Sequence, residues 1–315
     1  MSFLDPQAIA RLESFSVRAK VVAEGALSGL HRATQRGSSV EFAEYKEYSP
    51  GDEIRHIDWR VFGKADRYVV RQFEQESQLT AQLVLDASGS MEYGGQGERL
   101  SKLGYAAHLV GALAHLTIRQ RDKAGLLVFG DRSVERYIPP RGRASHGRDL
   151  LLVAGDALKR GGQGDESAAE AIERTAEITA RRRQMIVIAS DFFDRELTRT
   201  LAALKWLRAR GHDVVVFHVL DPDELGLPFE GLTKFVAFES PRELLASPRA
   251  IRREYADRLE AFLSRVRSEC VASGVEYRPA RTDVALETVL GGFLAARAGD
   301  KRGQNAAGTE ASWSS

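Results

Sequence analysis

The sequence predicts an α/β protein built on a doubly wound, mostly parallel sheet, and three observations carry that prediction. Four short runs are almost wholly apolar: LTAQLVLD (79–86), AGLLVFGD (124–131), QMIVIASD (184–191) and DVVVFHVLD (213–221). Strands covered by helices on both faces read this way, as continuous rather than alternating apolar runs. The stretches between them have helical period, and every one of the four runs finishes in aspartate.

Taken in chain order, residues 6–30 place Ile9, Leu12, Phe15, Val17, Val21, Leu27 and Leu30 at helical spacing, which predicts an amphipathic helix. Residues 38–73 turn rich in aromatic and β-branched side chains around Pro50-Gly51-Asp52, which predicts short strands in a small β subdomain. Helices are expected at about 99–121, 146–160, 167–182 and 195–210, each long enough for a crossover between parallel strands. Shorter strands are expected at 133–138 and 234–239, and long helices at 249–273 and 283–297, with SGVEYRPA (273–280) between them as an edge strand. The domain division expected is 1–78 for the helix and β subdomain, 79–297 for the α/β domain, and 298–315 for a small, polar, aperiodic tail without regular structure.

Composition excludes several classes. With 43% hydrophobic and 28% charged residues over 315 positions, the chain is that of a folded globular protein. Lys and Arg number 45 against 44 Asp and Glu, and a net charge of +1 argues against wholesale binding to nucleic acid or to an anionic membrane. Cys270 is the single cysteine, so no internal disulfide and no multi-cysteine metal site can form, which fits a reducing compartment. No apolar run approaches the ~18 residues needed to span a bilayer, and the N-terminus does not read as a leader. A cytoplasmic location and no membrane insertion are therefore expected.

The acidic strand ends carry the functional signal. In an open doubly wound sheet, ligands sit beyond the carboxyl ends of the strands, where strand order reverses. For Asp131 and Asp221 the plainer reading is adopted, a turn or helix cap after a buried strand. Asp86 differs because it opens D-A-S-G-S: if the turn is extended, Asp86, Ser88 and Ser90 point three oxygens the same way. An all-oxygen set without His or Cys suits a hard cation, Mg²⁺ first, with Mn²⁺ or Ca²⁺ as alternatives. Asp191, in A-S-D-F-F-D, supplies a second carboxylate if its strand neighbours that of Asp86.

These motifs also carry a resemblance. D-x-S-x-S after a first strand, with S-D ending the fourth, resembles the metal-ion-dependent adhesion site of von Willebrand factor A domains, which have Rossmann-type topology. The stretch from Ser38 to Phe73, S-x-V-E-F-A-E-Y-K-E-Y-S-P-G-D-E-I-R-H-I-D-W-R-V-F-G-K-A-D-R-Y-V-V-R-Q-F, together with L-S-G-L-H at 27–31 and I-R-Q-R-D at 118–122, resembles the bacterial family called domain of unknown function 58. That resemblance spans about residues 3–297. It implies partnership with a MoxR-type AAA+ ATPase and a chaperone-like or complex-remodelling role. Adhesion sites of this kind take a further hydroxyl from a threonine in a second loop, whereas this chain reads G-G-Q-G-D-E-S-A-A-E-A-I at 161–172. Three alternatives stay open: Ser167 replaces that hydroxyl, Glu166 or Asp165 supplies a carboxylate instead, or the site has lost its metal.

The sequence expectation is thus a non-enzymatic module that binds a partner or client protein through a carboxylate offered to the metal. The rival is a Mg²⁺-dependent phosphoesterase or other hydrolase, since acidic strand ends also build phosphoryl-transfer sites. It finds little support: Ser88 stands where a second aspartate of a haloacid dehalogenase-type site would be, and neither G-x-S-x-G nor a Walker loop follows a strand. His108 and His115 read as packed helix residues, and Arg181-Arg182-Arg183 as a solvated helix end. The charges between Asp52 and Arg71 suit either a salt-bridged subdomain or a partner surface.

Overall fold

The structure is a computed structural model that describes residues 15–35, 45–48, 59–65, 67–71, 79–95, 99–131, 136–164, 166–179, 182–238 and 242–310. In chain order the elements are α1 (Phe15–Gln35), β1 (Tyr45–Glu47), α2 (Trp59–Ala65), β2 (Val69–Arg71), β3 (Thr80–Asp86), α3 (Lys102–Arg119), β4 (Lys123–Phe129), β5 (Arg136–Arg141), α4 (Ala144–Arg160) and α5 (Ala168–Ile178). They continue with β6 (Met185–Ser190), α6 (Leu197–Ala209), β7 (Asp213–Leu220), α7 (Pro222–Gly226), β8 (Thr233–Val236), β9 (Glu243–Ala246), α8 (Pro248–Ala272), β10 (Glu276–Arg281) and α9 (Leu286–Glu310). The chain divides into two units, Met1–Leu30 with Leu79–Ser315, and His31–Gln78. The division falls inside α1, so the first helix up to Leu30 goes with the α/β body and not with the β subdomain.

In the larger unit six strands form one sheet in the order β10-β7-β6-β3-β4-β5. All neighbours are parallel except β4 and β5, which a short connection joins as an antiparallel pair. From β3 the chain moves outward to β4 and β5, then returns to lay β6, β7 and β10 on the other side. The order therefore reverses between β3 and β6, whose register pairs Leu85 with Ala189.

Alternate side chains of these strands feed two cores. Leu83, Leu85, Val187, Val215 and Phe217 pack with α1, α3, α4 and α9 on one face. Val84, Leu127, Ile186, Ile188, Val214 and Val216 pack with α5, α6 and α8 on the other. Burial on both faces is why the strands are apolar throughout, and at ~25 cal/mol per Å² of apolar surface it is the main stabilising term. On the first face α1 sets Ala19, Val22, Ala23 and Ala26 fully or almost fully out of solvent. Gly111 of α3 gives it room: a Cβ there would lie 3.1 Å from atoms of Ala19, Phe15 and Leu151.

Two features differ from the sequence expectation. β8 and β9 form a separate antiparallel hairpin where one short strand was expected, since Glu243–Ala246 is too exposed to show a buried pattern. α9 runs on to Glu310, into the stretch expected to lack regular structure; extending a helix already nucleated by packing costs far less than starting one. In the smaller unit β1 and β2 pair antiparallel, as expected of a β subdomain, with the helix α2 between them. There the Phe62 and Tyr68 rings stack at 4.4 Å. The charged set from Asp52 to Arg71 lies mostly outside the described side chains; Arg67 is exposed.

Candidate metal centre

The site lies at the carboxyl ends of β3 and β6, at the point where strand order reverses. Asp86 ends β3 and Asp191 follows β6, so parallel pairing of the two strands brings both carboxylates to one place. They line a cleft of about 310 Å³ together with Ser88, Ser167, Glu166, Ser190 and Asp194. Asp131, by contrast, borders a separate cavity of about 20 Å³. Asp221 caps α7, its side chain accepting from the Asp223 N–H while Glu224 reaches back, as a capping box does.

The first loop departs from the expected extended turn. Ser88 is extended, but residues Gly89–Glu92 form a 3₁₀ turn, so Ser90 is carried by a helical bend and not by strand alternation. That bend returns the Ser90 hydroxyl to 3.3 Å from the Ser88 hydroxyl. Asp86 accepts the Ser88 N–H at 2.9 Å on one oxygen and the Ser190 hydroxyl at 2.5 Å on the other. Burial, and then the charge of Asp191, push the Asp86 carboxyl up to about 7, against the hydrogen bonds from Ser190 and Ser88 that favour its ionised form.

Backbone contacts lace this loop to the second one. The Gly89 N–H donates to the Gly164 carbonyl at 3.2 Å and the Gln163 N–H to that of Ala87 at 2.9 Å, while the Glu166 N–H ties the second loop to the Gly130 carbonyl after β4 at 3.1 Å. Two glycines permit the approach. Gly130 (φ 138°) would put a Cβ 2.5 Å from the Ala87 carbonyl, and Gly164 (φ 81°) would put one 2.1 Å from the Gly130 oxygen.

Ser167 is the N-cap of α5, accepting from the Ala169 N–H at 3.1 Å, and its hydroxyl donates to Asp194 at 2.7 Å. Asp194 also accepts from Thr200 at 2.8 Å and from the Glu196 N–H at 2.8 Å. Burial alone would raise its pKa, but these bonds outweigh burial and hold it below the usual carboxylate range. Glu166, the alternative second-loop donor, accepts from the Gly130 N–H at 3.0 Å and from Arg174 at 2.6 Å, so both its oxygens are engaged. Asp165 lies outside the described residues.

The third loop is strained. Phe192, a bulky residue at φ 54°, follows Asp191 and is fixed by its N–H to the Ser190 hydroxyl at 3.0 Å and by an edge contact with His218 at 5.5 Å. Phe193 N–H donates to Asp191 Oδ1 at 3.0 Å, and Lys102 Nζ donates to Asp191 Oδ2 at 2.8 Å and to Glu224 at 2.6 Å. Burial alone would lower the Lys102 pKa, but Asp191 and Glu224 hold it above the ordinary lysine value, so it stays an ammonium. His218 meets the Asp191 carbonyl with Nε2 and the Tyr277 hydroxyl with Nδ1, both at 2.9 Å; burial takes its pKa down to about 4, leaving it neutral.

Asp86, Ser88, Asp191 and Ser167 thus share one cleft, with Ser90 joined through Ser88. Among the described residues no group of three or more His, Cys, Asp or Glu side chains is arranged to hold a metal, so a cation here has to rest on two carboxylates and hydroxyls. That donor set fits a hard divalent ion, and two adjacent carboxylates repelling one another are relieved by it. Lys102, Asp194 and Glu224 were not singled out from sequence. A lone lysine opening the almost wholly apolar helix KLGYAAHLVGALAHL was the available signal for the first, and the second aspartate of S-D-F-F-D for Asp194.

Sheet order, two covered faces and a D-x-S-x-S loop at the switch point define the class: a von Willebrand factor A-like α/β protein. Within that class, the chain belongs to the family described as "Protein of unknown function DUF58", which it matches over residues 44–262. An uncharacterized protein of Mycobacterium tuberculosis is 29% identical over 302 residues, covering 93% of this chain and 90% of the relative. Among solved structures, it is similar to the BatB protein of Bacteroides thetaiotaomicron (TM-score 0.45, 17% identity, 70% of this chain and 98% of that one). An aerotolerance-related membrane protein from Bacteroides fragilis gives 0.43 at 21% identity, with 67% and 94% covered. No helix among the described residues is long and apolar enough to cross a membrane.

Proposed function

We propose that the protein is a non-enzymatic, metal-dependent protein-binding module. Asp86, Ser88 and Ser90 hold Mg²⁺, or Mn²⁺ or Ca²⁺ in its place, with Asp191 and Ser167 completing the set in part through water. When bound, the ion supplies an open coordination position for a carboxylate from a partner. The observation that carries this reading is the meeting of Asp86 and Asp191 at the ends of adjacent strands, beside serine hydroxyls, in an open acidic cleft. The family resemblance supports a MoxR-type AAA+ ATPase as partner, in chaperone-like assembly or remodelling of protein complexes in the cytoplasm.

The hydrolase reading is weaker on the same geometry. His218 is neutral and tied at both nitrogens, so it is not poised to activate a serine or a water. The test is co-purification of the cell's own MoxR-type ATPase with wild-type protein in Mg²⁺, with wild type in EDTA, and with Asp86→Ala. Capture in Mg²⁺ that disappears in the other two, with circular dichroism unchanged, is expected. Capture that persists in EDTA contradicts metal dependence, and Asp86-dependent turnover of a generic phosphoester favours the hydrolase.

A further inference from the structure

Lys102 is one of the largest fully buried side chains in the protein, at 0% exposure. Lysine is almost never buried unless paired, and a buried ion pair returns little stability that an apolar side chain would not give. Its ammonium lies 2.8 Å from Asp191, 2.6 Å from Glu224 and 4.8 Å from the centre of the Phe193 ring. The carboxylate it holds is one of the two that meet at the switch point.

We propose that Lys102 is the resident counter-cation of this site, a positioning residue that keeps the metal-free protein folded and sets how tightly a divalent ion is taken. This rests on the metal-binding reading above. Without the ion, the ammonium balances Asp191. With it, two positive charges share that carboxylate a few ångströms apart in a poorly screened interior, and their repulsion weakens binding. Glu224 gives the ammonium a second anchor, so it need not leave when the ion arrives. The chain gains a fold that does not depend on metal, and the ion is held loosely enough to exchange.

The test is thermal unfolding and Mn²⁺ titration of full-length wild type, Lys102→Met and Glu224→Gln. In EDTA, Lys102→Met melts several degrees below wild type, because buried Asp191 and half-buried Glu224 are left without a counter-charge. Mn²⁺ restores the loss, and its Kd for this variant is at least tenfold tighter than for wild type. Glu224→Gln moves the other way, with weaker Mn²⁺ binding, because the whole ammonium charge then falls on Asp191. A lysine that only fills space would lower Tm equally with and without Mn²⁺ and leave Kd unchanged.

Mn²⁺ affinity in Lys102→Met equal to or below that of wild type overturns the proposal, while the metal reading stands on the wild-type titration. Absence of Mn²⁺ binding in wild type and variant alike overturns both. Should Lys102→Met fail to fold in EDTA, Glu224→Gln decides: unchanged or tighter Mn²⁺ binding there overturns the proposal.

Discussion

His108 shows at the scale of a single residue how burial becomes a pH dependence. It sits fully buried in α3 with Nδ1 2.6 Å from the Gly104 carbonyl and the Phe15 ring 4.8 Å away, while Nε2 has no partner among the described residues. Burial lowers its pKa to about 4, helped by Arg18 and opposed by the Gly104 bond. A folded-state pKa below the unfolded value of about 6.5 means the native fold excludes the proton. The stability this gives is complete above pH 6.5 and is lost as pH falls through 4. At 1.36 kcal/mol per unit the loss is about 3 kcal/mol. Urea unfolding of wild type and His108→Gln should therefore converge by about that amount between pH 7 and pH 4. Curves that stay parallel would show that His108 is not the group responsible.

At the scale of elements, the packing of α1 on α3 and α4 is set by small residues. A side chain at Gly111 has to displace Ala19, Phe15 and Leu151, each 3.1 Å from where its Cβ would stand. Gly111→Leu is expected to cost about 1–3 kcal/mol by overpacking, read as a lower Tm in calorimetry; an unchanged Tm would mean α1 is not seated there. The elements legible in the sequence were those with a strong one-dimensional signature. The core strands β3, β4, β6 and β7 were found within a few residues, because burial on both faces leaves unbroken apolar runs. β9 was missed because Leu244 and Leu245 are exposed, and apolar content without burial carries no period. The 3₁₀ turn under Ser90 was missed because local spacing does not report how a loop bends once a second loop packs on it.

At the scale of the molecule, the site follows from topology. Asp86 and Asp191 are far apart in sequence, and their meeting was legible because doubly wound sheets gather strand ends at the switch point. The partners of Lys102, Asp194 and Glu224 were not legible for the complementary reason: each pairs with a side chain on another element, and no spacing rule joins Lys102 to Glu224. Uptake of one divalent cation at this junction is tested by isothermal titration of Mn²⁺ into metal-free protein, with Asp86→Ala alongside. A single saturable site in wild type that vanishes in Asp86→Ala, with the circular dichroism spectrum unchanged, is expected. No saturable heat in wild type, or the same binding in Asp86→Ala, would contradict it.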